Sequence, residues 1–64
     1  MELVITIQPD RFGPVYEIYK NPNGSFLVYE NGTHIATHSD GKLHQEKRIP
    51  KKLRMRLEEA INKS

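Results

Sequence analysis

Apolar and polar residues alternate at the start of the chain. Leu3, Ile5 and Ile7 fall on one side, and Glu2, Val4, Thr6 and Gln8 on the other. A period of two with β-branched residues predicts a strand with one buried face. Pro9-Asp10-Arg11-Phe12-Gly13-Pro14 then interrupts it, because neither proline can donate to a ladder and glycine permits a turn. A second strand is predicted over residues 15–20.

Two turn signals follow. In Asn21-Pro22-Asn23-Gly24, proline suits the first central position of a type I turn and Gly24 the left-handed position after it. This bulged hairpin would pair Asn21 with Ser25 and Ile18 with Val28. Asn31-Gly32 is a two-residue hairpin turn, setting Glu30 against Thr33, Tyr29 against His34 and Val28 against Ile35. The registers agree with one another. One face collects Tyr16, Ile18, Phe26, Val28 and Ile35 as a core; the other collects Val15, Glu17, Tyr19, Leu27, Tyr29, His34, Ala36 and His38. Asp40-Gly41 offers one more turn, into Lys42-Leu43-His44, but Leu43 alone is apolar there, so a further strand stays open.

After Ile49 the period changes. Leu53, Leu57, Ala60 and Ile61 recur at helical spacing, and Pro50 suits a helix start. A helix with one apolar stripe needs a sheet to bury it. The pattern therefore predicts one α+β domain over residues 1–64. Its strands lie within 1–46, forming a three- to four-stranded antiparallel sheet of hairpins, with a C-terminal helix over about 50–62 packed on one face.

Length tightens this picture. A chain of 64 residues buries only about 60% of its unfolded surface, so a stability of a few kcal/mol is expected and a deep enclosed cleft is not. There is no cysteine, hence neither disulfide nor thiolate chemistry, and the usual signature of oxidising compartments is missing. The longest apolar run in the opening strand, Leu3-Val4-Ile5, is too short for a membrane span. A cytoplasmic protein with no membrane partner is the expectation.

Charge changes the picture more than composition does. Residues 1–38 hold two bases against four acids, a net of −2, whereas residues 39–64 hold eight against four, a net of +4. Between 47 and 56 stand Lys47, Arg48, Lys51, Lys52, Arg54 and Arg56, with no acid among them. Helix N-termini favour acids, and each exposed cation there costs roughly 0.3–1 kcal/mol. A small domain that breaks this rule points toward a polyanionic partner, either nucleic acid or an acidic protein surface. The plainer alternative is a solvated basic face, with Arg54–Glu58, Arg56–Glu59 and Glu59–Lys63 as ordinary helix pairs. Met55 falls opposite the apolar stripe, where an adaptable apolar side chain suits a contact surface.

Tyr19, Leu27, Tyr29 and His34 make a second candidate surface. Exposed aromatics on a sheet can stack unpaired bases or form a dimer interface, although tyrosine is also simply a good strand former. Metal binding is argued down, since four residues of strand put His34 and His38, on one face, about 13 Å apart. His38, Asp40 and His44 across a turn are most simply solvated. No cofactor is implied. No G-x-S-x-G elbow, phosphate-binding glycine loop or H-E-x-x-H pair occurs, so no enzyme is expected. Asn31-Gly32-Thr33 fits a glycosylation sequon but is better read as hairpin chemistry.

The order of strands then helix over residues 15–63 resembles in architecture the small sheet-reading DNA-binding domains, such as the AP2-like and integrase amino-terminal types. That resemblance implies nucleic acid as a partner, though fold analogy alone does not transfer function. The expectation is a non-enzymatic interaction module whose basic helix start contacts a polyanion, with DNA slightly favoured. The alternative is a protein-binding adaptor or homodimer using the tyrosine–histidine face.

Overall fold

The computed structural model describes all of residues 1–64. Five strands, β1 (Glu2–Ile7), β2 (Tyr16–Lys20), β3 (Phe26–Glu30), β4 (Thr33–Ser39) and β5 (Lys42–Gln45), precede one helix, α1 (Lys51–Asn62). The strands lie in the sheet in chain order and every neighbouring pair is antiparallel. The fold is therefore α+β as expected, but with five strands rather than three or four. Asp40 and Gly41 both adopt positive φ, +53° and +76°, the geometry of a tight two-residue hairpin. That turn and main-chain pairing build β5, with Leu43 as its sole apolar side chain.

The two central hairpins follow their turn chemistry. Gly24 sits at φ +91°, and Asn21 donates its backbone N–H to the Ser25 carbonyl at 2.8 Å. Ile18 faces Val28 as the bulged hairpin requires. Asn31 and Gly32 take φ +48° and +85°, with Glu30 opposite Thr33 and Tyr29 opposite His34. Asn31 also ties the turn to the start of β2: its backbone N–H donates to the Val15 carbonyl, and its Oδ1 accepts from the Val15 N–H at 2.9 Å.

One expected pairing is corrected. Val28 faces Ala36, not Ile35, because the register of β4 shifts by one residue between His34 and Ala36. Ile35 is the inserted residue, and its carbonyl accepts the Glu46 N–H at 2.7 Å. A β-bulge changes which side the following residues face. Ile35 and Ala36 are both buried, and His38, paired with Phe26, moves to the core side. Ala36 and His38 thus leave the tyrosine face to which alternation had assigned them, and His34 and His38 do not share a face.

A second register shift, at Val4 in β1, has the same consequence. Ile5 and Ile7 align with Ile18 and Tyr16 on the core side, whereas Leu3 aligns with Tyr19 on the opposite side. The expected grouping of Leu3 with Ile5 and Ile7 is corrected accordingly.

The helix packs on the face carrying Tyr16, Ile18, Phe26, Val28, Ile35 and Ala36. Ile7 of β1, Leu57, Ile61 and, from the segment before the helix, Ile49 complete the cluster. Ile18, Val28 and Leu57 are wholly enclosed. No residue on the other face of the sheet is buried. The single helix covers one side only.

Candidate functional site

The segment leading into the helix is fastened to the sheet by a three-residue clamp. Glu30, near the end of β3, accepts a hydrogen bond from the Tyr16 hydroxyl at 2.7 Å and another from Lys47 Nζ at 2.7 Å. Lys47 holds the Glu30 carboxyl below the usual carboxylate range, with the Tyr16 hydroxyl adding to the effect. Burial, followed by the adjacent carboxylate, pushes the Tyr16 phenol up to about 12. The Ile49 N–H donates to the Gln45 side chain at 3.3 Å, and Ile49 itself is buried. Lys47 is thus engaged within the molecule, although its sequence position groups it with the candidate contacts.

The remaining cations surround the helix start. Pro50 occupies the N-cap position without a side-chain cap, and the first turn contains no acid. Arg48, Lys51, Lys52 and Arg56 are all exposed, and none forms an ion pair. Arg54 differs: it is half-buried and lies 3.7 Å from Glu58, with its Nε enclosed and lacking a hydrogen bond. Glu59 pairs with Lys63 at 3.1 Å and leaves Arg56 free. Two of the three expected helix pairs form, and neither involves the four free cations.

Three of these side chains, Arg48, Lys52 and Arg56, border two adjoining hollows that share Tyr16, Pro50 and Leu53. An open cleft of about 460 Å³ lies between the β1–β2 loop and the helix, with Lys52 and Arg56 on one wall and Pro9, Asp10 and Pro14 on the other. A smaller hollow of about 250 Å³ is bordered by Lys47 and Arg48. The loop beside the larger cleft carries Phe12, which is 94% exposed and has the Arg11 guanidinium 5.6 Å from its ring centre. Turn chemistry alone gives Phe12 no role. Its signal in the sequence is a large aromatic in a proline–glycine loop that no strand alternation can absorb.

Met55 is 58% exposed on the same helix. The other candidate surface lies across the sheet. Tyr19 and Tyr29 meet edge to face at 5.5 Å, and Tyr29 and His34 at 5.6 Å. The Tyr19 phenol is raised above its ordinary range, first by burial and then by the nearby Glu17 carboxylate. His34 Nε2 lies 2.9 Å from Thr37 Oγ1. Leu27 lies between Tyr19 and Thr37 in one cross-strand row. The strand residues of this face include one lysine, Lys42, and no arginine.

The two candidate surfaces are therefore on opposite sides of the molecule. A ligand that uses the sheet's aromatics as a stacking platform would find few cations beside them, so the sheet-reading mode implied by the architectural resemblance lacks its electrostatic half. No helix is long and apolar enough to cross a membrane. No protein-family model matches the chain, no curated protein matches it, and no solved structure matches it.

Proposed function

We propose that the chain is a non-enzymatic interaction module that contacts nucleic acid, with duplex DNA favoured, through its helix start and the segment before it. The observation that carries this reading is the group of four exposed, unpaired cations, Arg48, Lys51, Lys52 and Arg56, around Pro50. Of the neighbouring acids, Glu30 is engaged by Lys47 and Glu58 by Arg54, and Asp10 lines the cleft opposite Lys52 and Arg56 without pairing to either. Phosphates reward such an arrangement, because each neutralised phosphate releases a condensed counterion. Contacts of this kind fix position on a duplex and carry no base information.

An acidic protein surface is the second reading, favoured by Met55, whose 58% exposure places an apolar anchor on the helix that carries Lys51, Lys52 and Arg56. A gel shift against duplex and single-stranded DNA, titrated with salt, tests the first reading. Replacing Arg48, Lys51, Lys52 and Arg56 together with glutamine should weaken binding to all sequences alike. On duplex DNA the slope of log K against log salt should become shallower by about 0.9 for each phosphate no longer neutralised. No binding at low salt, or a slope unchanged by the replacements, would overturn the nucleic-acid reading.

A further inference from the structure

The uncovered side of the sheet combines apolar area with an ordered arrangement. Leu3, Tyr19, Leu27 and Tyr29 lie on it, and none is buried. The edge-to-face contacts of Tyr29 with Tyr19 and His34 hold these rings before any partner arrives, so little side-chain entropy is left to lose on binding. The two edges of the sheet are poor routes to association. β1 carries a register shift, and β5 is four residues long and starts with Lys42; both features discourage strand addition.

Charge on this face selects the occupant. Among its strand residues the one acid is Glu17 on β2, while His34 lies on β4 and Lys42 and His44 lie on β5. Glu17, Tyr29 and His34 form a single cross-strand row. A two-fold axis parallel to β3 reverses that row, setting Glu17 opposite His34 of a second copy and Tyr29 opposite Tyr29. The next row, Tyr19–Leu27–Thr37, then sets Leu27 against Leu27. We propose that this face is a homodimer interface, with two copies of the chain packing sheet against sheet and the helices outermost. Aligned sheets pack in this way about 10 Å apart. A polyanion would meet Glu17 with one lysine to offset it, whereas a second copy of the chain brings its own His34 directly opposite Glu17.

Five strands about 4.8 Å apart make a face about 20 Å wide. Strands of about five residues at about 3.3 Å each make it about 17 Å long. The area of about 340 Å² stands against the roughly 800 Å² per partner of a standard complex, so a weak dimer is expected. Sedimentation equilibrium on the full chain, from about 10 μM to about 1 mM, brackets that regime. The mass should rise from 7.5 kDa toward twice that value. Tyr29→Asp should abolish the rise. Glu17→Lys should weaken association at least about tenfold, because the two-fold axis makes the Glu17–His34 contact twice and both are lost, and adding His34→Glu to the same chain should restore it. Amide spectra establish that each variant is folded; should Tyr29→Asp unfold the chain, the Glu17–His34 exchange decides alone. A monomer throughout the range would overturn the proposal, as would a dimer indifferent to folded Tyr29→Asp or to the exchange. A monomer whose Tyr29 ring signals shift on adding a single-stranded oligonucleotide would assign the face to stacking instead.

Discussion

On the helix side of the sheet Ile18 and Val28 are wholly enclosed, whereas their sequence neighbours Tyr19, Leu27 and Tyr29 remain half-exposed on the other. One helix of 12 residues, Lys51–Asn62, can cover only one face of a five-stranded sheet. The helix that supplies Leu57 and Ile61 to the covered side carries three of the free cations, Lys51, Lys52 and Arg56, at exposed positions. The uncovered side has aromatic rings and few charges. The enclosed core and the candidate surfaces are thus divided by side chain direction, and substitutions one residue apart should have different consequences.

The sharpest contrast is between two leucines. Leu57→Ala removes a wholly enclosed side chain from the centre of the core and should cost about 2–5 kcal/mol, enough to unfold so small a domain. Leu27→Ala, on the half-exposed face, should cost less than about 1 kcal/mol, as substitutions outside the core usually do. Urea unfolding followed by circular dichroism measures both. Equal losses would mean that the second face is packed in the monomer.

The clamp ranks next. Tyr16→Phe removes one hydrogen bond to Glu30 while leaving Lys47 in place, and should cost about 0.5–1.5 kcal/mol. Its pH dependence has a definite sign. Because the Tyr16 phenol is raised to about 12, its contribution is complete below the ordinary tyrosine range near 10 and disappears as pH rises through about 12. Glu30 is depressed, so its contribution is present above the ordinary carboxylate range and is lost as pH falls through its lowered value. Denaturant midpoints should therefore fall at both extremes, and Tyr16→Phe should flatten the alkaline side and, because Lys47 is the larger cause of the Glu30 shift, reduce the acid side only in part.

How far these features are legible in the sequence varies along the chain. The turns at Asn23-Gly24 and Asn31-Gly32 carry their own backbone requirements, so Ile18 opposite Val28 and Tyr29 opposite His34 follow from local chemistry. Alternation fails where a strand holds an inserted residue. Val4-Ile5 and Ile35-Ala36 each place two apolar residues side by side, but Phe26-Leu27-Val28 does the same in an unbroken register with β2, so the doubling does not mark where the face assignment slips. β5 is obscure because main-chain pairing, rather than a hydrophobic pattern, builds it. The free cations can be named from sequence, but their separation from Lys47 cannot, since Glu30 lies 17 residues away and reaches Lys47 only through the fold.

The smallest stability effect concerns the helix start. Neutralising Lys51 and Lys52 to glutamine removes cations from an uncapped N-terminus and should raise stability by roughly 0.3–1 kcal/mol per charge. The same change should weaken DNA binding. A stability loss in the denaturant midpoint would show that these lysines serve the fold and would blur the division between the two faces.

That division is tested most directly by following amide and tyrosine ring signals in solution while titrating a short DNA duplex at low salt. Signals from Arg48, Lys51, Lys52 and Arg56 should shift progressively, while those of Tyr19, Leu27 and Tyr29 stay fixed at constant protein concentration. Shifts centred on the tyrosine face, with the helix start silent, would contradict the division and place nucleic-acid recognition on the sheet.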